Sequence, residues 1–206
     1  MKTLFIPAKL KTQTGTLPKK ELSKLPKKIF LVYSIQYKDL ALNIKKQLIS
    51  NKIKVQKIQQ VLGCSKINTK LPILLISSGK FHATNTYLKS PEIYTLYNNQ
   101  IEKIPQSDIA QQINQRKVAL VKFFSANNLG ILVSTKPGQN NLEKAIKLKK
   151  TLQKKYKQKK IYIFLANNID TTQFENFQID SWVNTACPRL IVDNNQIINY
   201  EEIISL

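Results

Sequence analysis

Two cysteines carry the strongest chemical signal in this 206-residue chain. Cys64 closes the run Gln60-Val61-Leu62-Gly63-Cys64, and Cys187 lies in Trp182-Val183-Asn184-Thr185-Ala186-Cys187-Pro188-Arg189-Leu190. They are the only cysteines, and more than half of the chain separates them. Each follows an apolar, strand-like run and stands beside a backbone-shaping residue, Gly63 before one and Pro188 after the other. That context presents a thiol on a turn at the edge of a sheet, where a metal can reach it. Thiolates are the usual ligands of iron–sulfur clusters. No CxxC pair and no CxxxCxxC run is present, so spacing alone leaves a second reading open, two small buried hydrophobes. In a reducing compartment both readings are preferred to a structural disulfide.

A second group of residues follows apolar runs in the same way. His82, the only histidine, comes after Ile73-Leu74-Leu75-Ile76 and the turn residue Gly79. Ligand-binding groups gather at such strand ends in open α/β sheets, although a structural histidine satisfied by its neighbours fits the position too. Gln36 and Gln139 each follow the first strand-like run of one half of the chain. Either can bind a small polar ligand or simply be a solvated loop residue. Ser134-Thr135-Lys136-Pro137-Gly138-Gln139 lies between a strand and a helix, but it has one glycine and no Gly-Lys-Ser/Thr ending. Nucleoside triphosphate binding is therefore excluded there, while the amides at the helix start remain able to receive a carboxylate.

The elements that must position these residues alternate strand and helix. Ile29 to Ser34 and Gly130 to Thr135 are continuous apolar runs of the kind buried in parallel sheets. Helices are expected over 40–50, with Leu40, Ile44 and Leu48 on one stripe, over 107–126 with Ser107 as N-cap, and over 141–156. Further strands are expected at 55–58, 73–76, 161–165, around Trp182-Val183, and at Leu190-Ile191-Val192. This alternation implies βαβ units. The fold class is α/β: two Rossmann-like domains, each a small parallel sheet flanked by helices and related by internal duplication. The divisions are 1–28, an edge strand at 3–6 and a connector; 29–105, with Cys64; and 106–206, with Cys187.

A chain of this length holds one or two domains with real cores. No apolar run is long enough to span a bilayer, and the start, broken by Pro7, is too short for a signal peptide. A cytoplasmic protein with no membrane partner is expected. The net charge of +21 invites a nucleic-acid reading. Only Arg116 and Arg189 are arginines, however, so nearly all of the charge is lysine, spread along the chain and densest from Lys147 to Lys160. The guanidinium fork that reads bases and grips phosphates is scarce. A solvated lysine face is the expectation, with no direct nucleic-acid contact.

Several co-linear segments resemble the diphthamide synthase family. They are Ser34-Ile35-Gln36-Tyr37; Gln60 to Cys64; the glycine-x-phenylalanine-histidine run Gly79 to His82; Gly130 to Thr135 with Gln139; and Asp180 to Leu190, with its alanine-cysteine-proline-arginine. The resemblance covers about Ile29 to Leu206 in the family's order. It implies an archaeal-type enzyme that transfers a 3-amino-3-carboxypropyl group, by radical chemistry, from S-adenosylmethionine to a histidine of elongation factor 2. It implies a 4Fe-4S cluster held by three cysteines, one from each of three domains. Cys64 and Cys187 match two of these, with Gln36, His82, Thr135, Gln139 and Arg189 expected around the cofactors. The first of the three domains has no counterpart beyond residues 1–28. A separate polypeptide is therefore expected to supply it with the remaining cysteine; a non-catalytic scaffold subunit of that enzyme is the alternative reading, and self-association into a homodimer, or a heterodimer, is open. Lys136-Pro137-Gly138 stands where the family has leucine-glycine-arginine.

Overall fold

The computed structural model describes residues 4, 6, 16–62, 65, 67–77, 90, 92–191 and 194–204. The chain divides into two compact units, Met1–Gln112 and Ile113–Leu206.

The first unit opens with a one-turn helix α1 (Lys19–Leu22) and then β1 (Lys28–Tyr33), α2 (Lys38–Ser50), β2 (Lys54–Gln60), β3 (Ile73–Ile76), β4 (Ile93–Tyr97) and β5 (Gln100–Lys103). Its sheet runs β2-β1-β3-β4-β5, with every pairing parallel except β4 with β5. The apolar run of β1 is central and buried on both faces, as its composition demands. Period-two alternation splits it. Ile29 and Leu31 face Ala41, Ile44 and Leu48 of α2, while Phe30 and Val32 face a second layer with Ile73, Leu75, Ile104 and Ile109. The expected helix stripe is thus present, with Ala41 buried and Leu40 only partly so.

A long helix α3 (Gln106–Ser125) spans the division between the units. The second unit continues with β6 (Asn128–Ser134), α4 (Leu142–Lys155), β7 (Lys160–Ala166), β8 (Ser181–Asn184), β9 (Ile197–Asn199) and α5 (Tyr200–Ile203). Its sheet is fully parallel in the order β7-β6-β8-β9. One face buries Leu129, Ile131 and Val133 against Ala145, Leu148 and Leu152 of α4 and Phe123 of α3. The other buries Leu132 and Trp182 with Phe174 and Ile191.

Both sheets therefore share one strand order, second-first-third-fourth, as a duplicated α/β unit would. The structure departs from the sequence reading at two places. Neither β4 nor the antiparallel β5 was expected; the two are joined through Asn98 and Asn99, both at positive φ (47° and 60°). Of the expected last strand Leu190-Ile191-Val192, Leu190 and Ile191 are not in a strand, and Val192 lies outside the described residues. Pro188–Ile191 is a short 3-10 helix, and the last strand is Ile197–Asn199. The fixed φ of proline starts a helical turn there, closed by the Leu190 N–H donating to the Cys187 carbonyl at 3.1 Å. The expected strand at 3–6 lies largely outside the described residues.

Candidate functional site

In a second-first-third strand order, the connections leave the first strand in opposite directions. The crevice beyond its carboxyl end is where open α/β sheets bind ligands. In the second unit that end belongs to β6, and a cavity of about 440 Å³ lies there. Ser134 contributes from the end of β6, Lys136 and Gln139 from the loop after it, Asn167 through Thr171 from the segment after β7, and Cys187, Arg189, Leu190 and Asn194 from the segment after β8. Three sequence-predicted residues, Gln139, Cys187 and Arg189, thus line one cavity. Thr135 is not among the lining residues, but its hydroxyl donates to Asn167 Oδ1 at 3.5 Å. Gln36 is exposed on a 3-10 turn, Ile35–Tyr37, beyond β1 in the first unit. Cys64 and His82 lie outside the described residues.

The three loops are held by directed hydrogen bonds. Ser134 is 2% exposed; its hydroxyl donates to the Asn167 carbonyl at 3.2 Å and accepts from the Lys136 N–H at 3.2 Å. The turn that presents Gln139 closes with the Gln139 N–H donating to the Lys136 carbonyl at 3.0 Å. It passes through Gly138 at φ 77°, a left-handed conformation that favours glycine. The Asn141 amide then donates to the Thr185 carbonyl at 2.7 Å and joins this loop to the Cys187 segment. Thr185 is fastened to β6, its N–H and its hydroxyl both donating to the Leu132 carbonyl at 3.1 and 2.7 Å.

Cys187 is a free, half-buried thiol. Beyond it, Arg116 of α3 donates to the Ile191 carbonyl at 3.0 Å and to the Ile197 carbonyl at 3.5 Å, and pairs with Glu202 at 3.7 Å. Burial pulls the guanidinium down from its ordinary value and Glu202 opposes it; burial also raises the Glu202 carboxyl, with Arg116 opposing. One of the two arginines is therefore spent on anchoring the segment that follows Cys187, and Arg189 lines the cavity. Asp170 stays ionised, its carboxyl held below the usual range chiefly by the Thr172 hydroxyl at 2.7 Å and then by the Thr172 N–H at 3.0 Å.

The cavity thus offers a soft sulfur donor in Cys187, two basic side chains in Lys136 and Arg189, one carboxylate in Asp170, and amide groups from Gln139, Asn167 and Asn168, over the apolar Ile169 and Leu190. A thiol lining a polar crevice suits an iron–sulfur cluster edge and a zwitterionic ligand beside it. Among the described residues no group of three or more His, Cys, Asp or Glu side chains is brought together for a metal. Sequence reasoning missed Lys136, Asn167, Asp170, Asn184 and Arg116. The tract Asn167-Asn168-Ile169-Asp170 directly after an apolar strand was the available signal for the β7 loop.

Comparison with known proteins places the chain in a family. The sequence model of the family described as "Putative diphthamide synthesis protein" matches residues 1–203. The 2-(3-amino-3-carboxypropyl)histidine synthase of Pyrococcus horikoshii is 26% identical over 93% of this chain and 60% of its own length. Subunit 1 of the corresponding synthase of Yarrowia lipolytica is 27% identical over 65% of this chain and 32% of its own. The crystal structure of Dph2 from Pyrococcus horikoshii superposes with a TM-score of 0.72 at 23% identity, covering 90% of this chain and 58% of that one. The same protein with a 4Fe-4S cluster gives 0.71 at 24% identity. The chain spans less than two thirds of the length of these relatives.

Proposed function

Because the chain belongs to the family of diphthamide synthesis proteins, matched over residues 1–203, we propose that it is a component of 2-(3-amino-3-carboxypropyl)histidine synthase. In this reading it takes part in transferring a 3-amino-3-carboxypropyl group from S-adenosylmethionine to a histidine of elongation factor 2. The observation that carries the reading is the convergence of Cys187, Gln139 and Arg189 on one cavity beyond β6 and β8. Cys187 and Cys64 are the cluster ligands. The remaining thiolate comes from outside these 206 residues.

When bound, the 4Fe-4S cluster supplies the electron that cleaves a carbon–sulfur bond of the sulfonium. The residues of this chain bind and orient. Lys136 and Arg189 hold the carboxylate of the amino-acid portion, and Asp170, kept ionised, accepts from its ammonium group. Gln139 and Asn167 meet the remaining polar edges, and Ile169 and Leu190 exclude water from the crevice. Water exclusion strengthens each of these contacts and protects a reactive carbon from quenching. Gln36 and His82 belong to the first unit's contribution.

Anaerobic iron–sulfide reconstitution tests the reading, with the chain alone and with a polypeptide carrying the missing region. Iron content and visible absorption are the readout. A stable cluster is expected only with the partner, and Cys64→Ser or Cys187→Ser abolishes it. A wild-type chain that takes up no cluster under either condition overturns the catalytic role and leaves a scaffold subunit.

A further inference from the structure

The thiol of Cys187 serves a shared metal centre at least ordering cost if its loop already holds one conformation before the metal arrives. Asn184, three residues upstream and 2% exposed, occupies the last position of β8. Its Oδ1 accepts from the Ala186 N–H at 2.9 Å. Its Nδ2 donates to the Cys187 carbonyl at 2.8 Å and to Asn199 Oδ1, on β9, at 2.8 Å. A backbone N–H can only donate and a backbone carbonyl can only accept, so these partners fix the orientation of the amide. They also require an amide. Aspartate has no donor for the Cys187 carbonyl, and leucine has neither donor nor acceptor. One buried side chain thus holds the backbone on either side of the Ala186–Cys187 peptide and locks it to the neighbouring strand.

We propose that Asn184 is a positioning residue that sets the direction of the Cys187 thiol, with Asn199 as its brace. The inference rests on the reading of Cys187 as a cluster ligand, but it concerns the chain without the cluster. Buried amide networks of this kind specify one geometry because leaving any member unpaired is costly. The network also accounts for Asn at both 184 and 199, on adjacent strands in direct register.

The test uses the full chain as wild type and as Asn184→Asp, Asn184→Ala and Asn199→Ala. Peptide mass spectrometry reads iodoacetamide labelling of Cys187 relative to Cys64 in the same molecule, together with amide hydrogen exchange over 185–191. The labelling ratio is expected to rise several-fold in Asn184→Asp. Exchange over 185–191 accelerates about ten-fold, the equivalent of one lost buried hydrogen bond, while peptides from β1 and α2 stay unchanged. Asn199→Ala gives a smaller change of the same sign. In the double variant Asn184→Ala with Asn199→Ala the changes do not exceed those of Asn184→Ala alone, because both act through one amide. Cooperatively folded variants with an unchanged ratio and unchanged local exchange overturn the proposal. If the Asn184 variants do not fold, Asn199→Ala decides alone by the same two readouts. A wild-type chain that binds no cluster, with these shifts still present, would sink the metal reading and leave the clamp standing.

Discussion

Gly130 shows how a single residue sets the shape of the second unit. It pairs in register with Trp182 on the neighbouring strand, and a Cβ placed on it would lie 2.4 Å from Trp182 Cε3 and 2.5 Å from Cζ3. The indole is 1% exposed and stacks on Phe174 at 4.2 Å, with Phe164 edge-on at 4.7 Å. It has nowhere to retreat. Gly130→Ala is expected to destabilise by about 2–3 kcal/mol, the usual cost of overpacking, and to lower the thermal midpoint by roughly 4–10 °C in a chain of this size. An unchanged midpoint would mean that the aromatic cluster repacks freely. Tyr94 gives a residue-scale prediction in the first unit. Burial, then the Glu92 carboxylate at 2.9 Å, pushes its phenol up to about 12. Its folded value lies above the unfolded one, so its stabilising contribution is complete below pH 10 and is lost as pH rises through about 12. Ultraviolet titration should show a late component from Tyr94. Tyr94→Phe should remove that component.

At the scale of elements, what the sequence made legible followed from burial. The runs at β1, β3 and β6 are buried along almost their whole length, and such runs declare themselves by composition. The elements that were not legible depend on local backbone chemistry. The β4–β5 hairpin alternates only weakly, and its turn rests on two asparagines accepting positive φ, without the glycine that usually marks it. Leu190 and Ile191 are strand-forming residues, yet Pro188 commits them to a helical turn. The cavity was half legible: its cysteine, glutamine and arginine stand in motif-like segments, whereas Asn184 and Arg116 act through carbonyls that no pattern reveals. Chain order also separates the two cysteines. Cys64 falls between the second and third strands of its unit, and Cys187 after the third, so the repeat of strand order does not place them in matching connections. Lys159 illustrates an element-scale dependence of the same hidden kind. It is buried, and its ammonium donates to the carbonyls of Phe124 at 2.8 Å and of Ala126, at the end of α3. Burial pulls its pKa down, with Asp180 opposing. Lys159→Met would leave those carbonyls without their donor and should cost about 1–3 kcal/mol, read as a lower urea midpoint with unchanged slope. A higher midpoint would show that the desolvation of the ammonium outweighs its capping.

For the whole molecule, the unusual quantity is the charge, +21 on 206 residues. On α4 much of it stands clear of the core, since the helix turns Ala145, Leu148 and Leu152 to the sheet and leaves Lys147, Lys150 and Lys154 exposed. These three recur at intervals of three and four residues and so share one outer face. A positive field of this kind accelerates encounter with an acidic protein without adding much to the bound state. Replacing all three by glutamate lowers the net charge by six and leaves the buried face untouched. The thermal midpoint should therefore stay within a few degrees. The association rate with an acidic protein partner should fall about ten-fold at low ionic strength, with little change in dissociation. The difference should shrink as salt brings the screening length below the width of the patch. If the reversals instead speed dissociation and the effect survives high salt, these lysines touch the partner directly, and α4 is part of the interface as well as the source of its field.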